Sequence, residues 1–459
     1  MFSLLSLADE LLLGIIDQID NKLDLSNICL TCSRFQGLAE PFLYRDVLVR
    51  TGKQAVNLSH SLRKRTERAS SIRSLQIRYL QDDVAGIAVL NPDLRMMSRL
   101  REFTVESPCC NDKGAIDNPE WIWERQIDET DFCKYASSMT LTPEPRVQIP
   151  LMTFTLHSHG DQNNKFNLGR RSVILLHPTL QNLTLSCFDI GDDLETFLGK
   201  KPRSTSLRTL VFDECNIKSS GLRAVLSVPR RLERLVLGER KHHVDDDERH
   251  SNLLSNVDAL IGALCLQSES LLYLKHTGGA LALRHYSQSV EHISLDFLTE
   301  LRELEVDEQS WWRLILQMLS PQGGLPPQLQ RLRIYAPRRW GVEFNLSFLT
   351  SAPSWLRKAA QFEYVLDHYR DPAIDPAGII EELWTEAHMN EVYDVQKKLK
   401  GHGVHQLRVL ILYGWSYIPP YMFGETLPTE HVAYDSTSPL VFGTYKLKRP
   451  EKELRAAAG

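Results

Sequence analysis

The chain has 459 residues, enough for a small module and one large domain, or for two or three domains of ordinary size. Apolar residues make up 42% and charged residues 24% of the sequence, as in an ordinary globular protein. The net charge of −5 disfavours nucleic acid as the main partner, because phosphate binding requires a basic surface. The sequence contains no apolar run of about eighteen residues, so we expect no membrane span.

The chain also lacks the pattern of a secreted protein. The apolar stretch at residues 1–16 has no basic start, and Asp9 and Glu10 interrupt it, which makes it a poor signal peptide. The eight cysteines occur mostly within apolar patterns. We therefore expect reduced, buried thiols and a cytoplasmic or nuclear location.

The first fifty residues contain short amphipathic helical patterns, which begin at Leu12, Leu25 and Phe35. In each pattern, apolar residues recur with the i, i+3, i+4 and i+7 spacing that places them on one face of a helix. Pro41 is expected to end the third helix. Helices of this size are too small to bury all of their apolar residues against one another, so part of that surface needs a partner.

These residues resemble the F-box, in the form common among fungal proteins. The resemblance covers residues 4–48, about a tenth of the chain, and the motifs are specific when taken together. Its segments are Leu7-Ala8-Asp9-Glu10-Leu11-Leu12, Asp24-Leu25, Leu30-Thr31-Cys32-Ser33-Arg34-Phe35 and Pro41-Phe42-Leu43-Tyr44-Arg45-Asp46-Val47. Ala8 stands where the family usually has proline, a departure that we expect to lower affinity without changing the mode of binding.

The resemblance implies a role in ubiquitination. F-boxes dock on the Skp-family adaptor of cullin ubiquitin ligases, so the implied partners are that adaptor and, through it, a cullin. Matching the apolar positions of the F-box pattern assigns the adaptor contact to Leu7, Ala8, Leu11, Leu12, Ile15, Ile16, Leu25 and Leu30. The alternative is that this apolar surface packs on the protein's own downstream domain.

From residue 72 onward, a six-residue pattern recurs with apolar residues at its first, fourth and sixth positions, as at Leu207, Leu301 and Leu329. Most spacings lie near the roughly 20 to 29 residues of a leucine-rich repeat. The unit that starts at Leu207 resembles the cysteine-containing repeat often found behind an F-box. We predict an α/β fold, namely a three-helix F-box followed by an irregular leucine-rich-repeat solenoid with parallel strands on its concave side and helices on its convex side.

The predicted domain organisation follows from these patterns. It comprises the F-box at 4–48, a helical linker at 49–71, the solenoid at 72–445 and a flexible tail at 446–459. Insertions are predicted to interrupt the solenoid at 106–149, 238–256 and 336–406, and the last of these is expected to contain a helix from Gly378 to Lys400.

The concave face is where we expect an unidentified protein target to bind. The outward-facing candidates are Glu303, Glu305, Asp307, Arg331, Arg333, Tyr335, Val409, Ile411 and Tyr413. Parallel strands about 4.8 Å apart would bring the acidic and basic residues side by side. They form either a cross-strand charge ladder or a surface where arginines bind acidic or phosphorylated groups. The row at Val409 suits a protein partner if it is exposed and is core if it is covered.

The sequence offers no motif for catalysis, a cofactor or a metal ion. No serine, cysteine or histidine lies in a recognisable nucleophile context, and no glycine pattern suits a phosphate. The histidine- and aspartate-rich run at 242–250 is interpreted as a charged loop, and the basic cluster at 63–68 as a solvated helix. We predict a non-enzymatic substrate receptor of a Skp–cullin–F-box ligase. The alternative is a leucine-rich-repeat scaffold that acts outside ubiquitination.

Overall fold

The computed structural model describes most of the N-terminal half and separate segments of the C-terminal half. The described residues are 4–78, 84–106, 150–157, 166–186, 188–199, 201–239, 253–278, 294–307, 311, 324–337, 361–368, 386–399, 406–413 and 429–437. They belong to two compact units. The first comprises Met1–Leu210 with Ser227–Arg230, and the second comprises Val211–Leu226 with Arg231–Gly459.

The first unit begins with a helical module at residues 4–43. Its elements are a 3-10 turn (Leu4–Ser6), α1 (Asp9–Ile16), α2 (Lys22–Thr31) and α3 (Ser33–Leu43). A helix thus forms over each amphipathic pattern of the sequence. Asn21 caps α2, because its side chain accepts a hydrogen bond from the amide of Leu23. The module core consists of Ile16, Leu25 and Ala39, with partly buried apolar side chains packed around them.

Pro41 lies inside α3 and does not end it, contrary to the prediction. Proline removes one backbone hydrogen bond and crowds the preceding turn, which usually disrupts a helix interior. In α3 the loss falls in the final turn, because the helix ends at Leu43. The ammonium group of Lys22 donates to the carbonyls of Phe42 at 2.9 Å and Leu43 at 3.1 Å, which gives that turn additional partners.

The parallel sheet begins directly after the module. The next elements are β1 (Asp46–Val49), α4 (Gly52–Lys64), α5 (Thr66–Ser71) and β2 (Ser74–Arg78). Strands β1 and β2 are parallel neighbours, so α4 and α5 form the crossover of a β-α-β unit. The stretch predicted as a linker is therefore part of the folded unit. The sheet starts near residue 46, not at residue 72 as the repeat pattern indicated.

Further parallel strands extend this sheet within the first unit. The elements are α6 (Val84–Ile87), a 3-10 helix (Ala88–Met96), β3 (Glu102–Glu106), β4 (Thr153–His157), β5 (Phe166–Asn167), a 3-10 helix (Gly169–Leu176), β6 (Asn182–Ser186), β7 (Phe188–Ile190) and α7 (Leu194–Leu198). The strand order is β1-β2-β3-β4-β6, and β5 pairs in parallel with β7 off this path. Buried residues at matching positions stack across the sheet: Leu75, Phe103, Phe154 and Leu183.

The second unit repeats this arrangement. Its elements are β8 (Thr209–Ile217), which starts in the first unit, α8 (Ser219–Ser227), β9 (Arg234–Glu239), a 3-10 helix (Leu253–Asn256), α9 (Val257–Leu264), a 3-10 helix (Cys265–Gln267), β10 (Tyr273–Thr277), β11 (Glu303–Asp307), β12 (Arg331–Pro337), β13 (Gln361–His368), α10 (Glu386–Leu399), β14 (Gln406–Tyr413) and β15 (Thr429–Asp435). Strands β9 to β14 are parallel neighbours in chain order, and β15 pairs antiparallel with β14.

Strand β13 lies inside the stretch 336–406 that the sequence predicted to be an insertion. Phe362 pairs with Leu332 of β12 on one side and with Leu407 of β14 on the other. The six-residue pattern fits β13 only if Ala359 occupies its first position and aromatic residues occupy the other two. A search for leucine-like residues misses such a strand.

The pairing of β14 also corrects its predicted register. The sequence pattern assigned Leu410 to the fourth position of the repeat, but the structure places Leu407 in that row, opposite the core residue Phe362. Because side chains alternate along a strand, an odd shift exchanges the two faces of the sheet. Val409 therefore lies in a core row and is fully buried. Leu410 points to the other face, where it is also fully buried and packs with Tyr335 and Val365.

Both units are mixed α/β structures whose described strands are mostly parallel, which agrees with the predicted α/β class. Helix α10 falls within the helical stretch predicted at 378–400. The charged run at 242–250, residues 107–149 of the first predicted insertion and the tail at 446–459 lie outside the described residues. None of the helices in the described part is long and apolar enough to span a bilayer.

Candidate protein-binding surfaces

The N-terminal module leaves several large apolar side chains in solvent. Two of them lie one turn apart on α1, and two lie two turns apart on α2, so each pair shares a helix face. Others belong to the preceding 3-10 turn. We call this set the leucine surface: Leu4, Leu5, Leu11, Ile15, Leu23 and Leu30. Leu30 is 81% exposed, although its helix contributes Leu25 to the module core.

The structure divides the predicted adaptor-contact residues into two groups. The buried ones belong to the module interior: Leu12, Ile16 and Leu25. The others retain exposed surface: Leu7, Ala8, Leu11, Ile15 and Leu30. Consecutive helix residues are rotated by about 100°, so Leu12 can face inward while Leu11 faces solvent. Motif matching missed Leu23, because it does not identify which apolar residues the module buries.

One arginine holds the segment that precedes α1. Arg34, near the start of α3, donates hydrogen bonds to the carbonyl of Leu5 and, at 2.8 Å, to that of Leu7. Its guanidinium also contacts the carboxylate of Asp9 at 2.7 Å. Ala8, which lies within this segment, provides no side-chain cap for α1. Arg34 thus ties the backbone before α1 to α3.

Glu40 connects the module to the crossover helices. Its carboxylate accepts hydrogen bonds from Arg68 at 2.6 and 2.9 Å and forms an ion pair with Arg65 at 2.9 Å. Arg68 also donates to the hydroxyl of Ser61 at 2.7 Å. Arg63 pairs with Asp93 at 2.9 Å. The arginines of the basic cluster therefore have acidic partners within the protein, which disfavours a nucleic-acid patch.

A row of alternating charges crosses one face of the sheet in the second unit. Its members occupy matching positions on β10 to β15: Lys275, Glu305, Arg333, Glu363, Arg408 and Asp435. We call this set the ionic row. Neighbouring strands are about 4.8 Å apart, so each internal charge has an opposite charge on both sides.

The ionic row is closely paired and largely buried. Glu363 has no exposed surface, and its carboxylate lies 2.6 Å from the guanidinium groups of both Arg333 and Arg408. The hydroxyl of Tyr335 donates to Glu305 at 2.8 Å. Burial, and next the negative charge of Glu305, raise the pKa of Tyr335, which keeps this phenol protonated as a donor.

The predicted target-binding residues are therefore mostly inside the protein. Those that are buried are Glu305, Asp307, Arg333, Tyr335 and Val409. Glu303 and Arg331 are partly exposed and form an ion pair with each other. Ile411 and Tyr413 belong to β14, but their side chains lie outside the described residues. These contacts favour the charge-ladder interpretation over an open arginine surface.

A second buried polar group links β9, β10 and Trp311. The indole N–H of Trp311 donates to Nδ1 of His276 at 2.8 Å, and Nε2 of His276 lies 2.8 Å from Glu239. Because the indole can only donate, Nδ1 must be an acceptor, which places the imidazole proton on Nε2. Glu239 also accepts from the amide of Leu253 at 3.0 Å. Both ring nitrogens of the fully buried His276 thus have partners within the protein.

Comparison with known proteins adds no relative. Neither the scan against protein-family models nor the search of curated proteins finds a match for this chain. The functional interpretation therefore rests on the sequence resemblance and on the surfaces described above.

Proposed function

We propose that this protein is the substrate-recognition subunit of a Skp–cullin–F-box ubiquitin ligase, with the leucine surface as its adaptor site. The observation that carries this proposal is the exposure of Leu11, Ile15 and Leu30 on helices whose sequence resembles the F-box. Full burial of one such side chain is worth about 1.5–3 kcal/mol. A partner that covers these residues removes their apolar surface from water, which contributes favourable free energy to binding.

The proposed mechanism is proximity. The module anchors the chain to the adaptor, while the remainder of the protein holds a target whose lysine the ligase modifies. Holding two molecules together raises their effective concentration to roughly the millimolar range, so the chain itself needs no catalytic group. Glu40 supports this role, because its pairs with Arg65 and Arg68 couple the module to the first crossover of the sheet.

Target recognition is proposed to involve the predicted residues that keep exposed surface. Glu303 and Arg331 qualify, since their side chains remain 39% and 28% exposed. Each precedes a member of the ionic row by two residues on its strand, so the pair lies on the same face of the sheet, next to Glu305 and Arg333. A charged target segment can bind Glu303 or Arg331 by breaking the ion pair between them. This costs less free energy than breaking a pair in the buried ionic row, because water can solvate the displaced charge.

The test is co-expression with a Skp-family adaptor, analysed by size-exclusion chromatography. Wild-type protein is expected to form a stoichiometric complex, and Leu11→Asp/Ile15→Asp is expected to abolish it. Val56→Asp is the matched control, because Val56 is an exposed apolar residue on α4 outside the module. Substitution of Leu12 and Ile16 is unsuitable, since both side chains are buried and Ile16 belongs to the module core.

The outcomes separate the alternatives. A folded wild-type chain that forms no complex overturns the proposal. A cullin that co-purifies with the complex supports the ligase subunit, whereas an adaptor complex that excludes cullin supports a leucine-rich-repeat scaffold acting outside ubiquitination.

A further inference from the structure

We infer that Arg34 is a positioning residue for adaptor binding, an inference that rests on the proposed function. Arg34 does not belong to the leucine surface. It acts on the backbone of residues 5–9, which joins the exposed Leu4 and Leu5 to the exposed face of α1. The orientation of these leucines relative to Leu11 therefore depends on the Arg34 contacts.

The geometry shows a three-point attachment. The guanidinium bonds to the carbonyl of Leu5, in the 3-10 turn, and to that of Leu7, which follows this turn, and it also contacts the carboxylate of Asp9. The planar guanidinium presents its donors in a rigid fork, so it fixes direction as well as distance. Lysine, with one compact ammonium group, cannot reproduce this arrangement.

The exposure of these groups indicates what Arg34 does. The side chains of Arg34 and Asp9 are 38% and 56% exposed. Ion pairs at such exposure contribute little to global stability, because water and salt screen them. The Arg34 contacts can nevertheless favour binding. They order residues 5–9 before the partner arrives, so these residues lose less conformational entropy on binding. Arg34 is thus suited to preorganisation of the binding surface.

Ala8 provides an independent way to restrain the same segment. Its φ of −65° is the value that a proline ring imposes. Among the hydrogen bonds of the described residues, the amide of Ala8 is not a donor, so proline would remove no contact there. Proline at this position is therefore expected to replace part of the restraint that Arg34 supplies.

The experiment measures adaptor affinity by isothermal titration calorimetry with a purified Skp-family adaptor. Arg34→Ala is expected to weaken binding roughly ten-fold, and Ala8→Pro in the Arg34→Ala background is expected to restore most of the affinity. Arg231→Ala is the control, since it removes an exposed arginine outside the module. The thermal unfolding midpoint is expected to stay nearly unchanged in Arg34→Ala and in Arg231→Ala, whereas adding Ala8→Pro is expected to raise it slightly.

Hydrogen exchange distinguishes positioning from general support. Arg34→Ala is expected to accelerate amide exchange only in residues 4–12. Faster exchange throughout α2 and α3 with a lower unfolding midpoint would overturn the inference, as would weakened binding that Ala8→Pro does not rescue. Unchanged binding by Arg34→Ala, with binding lost in Leu11→Asp/Ile15→Asp, would overturn the role of Arg34 but leave the proposed function standing. Absence of wild-type binding would overturn both.

Discussion

Glu363 and Arg333 form a buried ion pair across adjacent strands β13 and β12, with 2.6 Å between carboxylate and guanidinium. Arg408 of β14 lies 2.6 Å from the other oxygen of the same carboxylate. One fully buried acid therefore compensates two cations. Removing the charge of Glu363 takes the nearest counter-ion from two largely desolvated arginines, which costs more than the lost contact itself.

Glu363→Gln is expected to lower the free energy of unfolding by about 3–5 kcal/mol. The amide keeps the shape of the carboxylate but not its charge, so Arg333 loses its 2.6 Å ion pair with Glu363, and Arg408 keeps the more distant one with Asp435 at 3.4 Å. Chemical denaturation measures the effect. Glu303→Gln is the matched control on the neighbouring strand and is expected to cost at most about 1 kcal/mol, because that side chain is partly exposed. Equal costs for the two variants would contradict the ladder interpretation.

Asp435, at the end of the ionic row, is expected to make stability sensitive to acid. Burial alone would raise its pKa, but hydrogen bonds from Thr437 and Gln406 and the charge of Arg408 outweigh burial and hold the pKa below its usual value of 3.8. A depressed carboxyl pKa contributes stability above the unfolded-state value, and this stability is lost as pH falls through the folded-state pKa. Acid titration of unfolding should show a smaller loss in this range for Asp435→Asn.

Leu25 and Leu30 lie on the same helix, but we expect their substitution by alanine to have opposite effects on stability and on adaptor binding. Leu25→Ala removes a buried core side chain and is expected to cost about 2–5 kcal/mol of stability. Leu30→Ala changes an exposed side chain and is expected to leave the unfolding midpoint nearly unchanged while it weakens adaptor binding. Parallel denaturation and binding measurements on the two variants check this division. A large stability loss for Leu30→Ala would contradict it.

Ala8→Pro in the otherwise unchanged protein is expected to stabilise the module by about 0.4–1 kcal/mol. The backbone already has the φ that proline requires, so the substitution mainly reduces the freedom of the unfolded chain. Thermal unfolding measures the gain. Ala8→Gly, which increases the freedom of the unfolded chain, is expected to lower the unfolding midpoint. Destabilisation by proline would mean that Leu7 cannot accommodate the ring.

Glu239→Gln is expected to cost about 1–3 kcal/mol. The carboxylate accepts from both His276 and the amide of Leu253, whereas an amide side chain offers only one oxygen and turns its NH₂ toward the other donor. Denaturant titration followed by tryptophan fluorescence would report both the stability loss and any change around Trp311. An unchanged midpoint would indicate that the buried chain of hydrogen bonds is not needed for stability.

Helices and strands with strong local patterns could be predicted from the sequence. The periodic apolar residues starting at Leu12, Leu25 and Phe35 each coincide with a helix, and the six-residue pattern at Leu301 and Leu329 locates two strands of the sheet. Strand β13 escaped prediction because alanine and aromatic residues replace the leucines. The face of Val409 was misassigned because a leucine-rich strand fits the pattern in more than one register.

The sequence by itself determined the α/β class, the parallel in-register pairing of acidic Glu303 with basic Arg331, and the resemblance to the F-box. Only the tertiary structure decided which apolar residues remain on the surface and which charges are enclosed. Leu11 and Leu12 are equivalent in hydrophobicity, yet one is exposed and the other is buried. Burial depends on contacts between residues far apart in the chain, such as those among Ile16, Leu25 and Ala39 in the module core, and local periodicity does not contain that information.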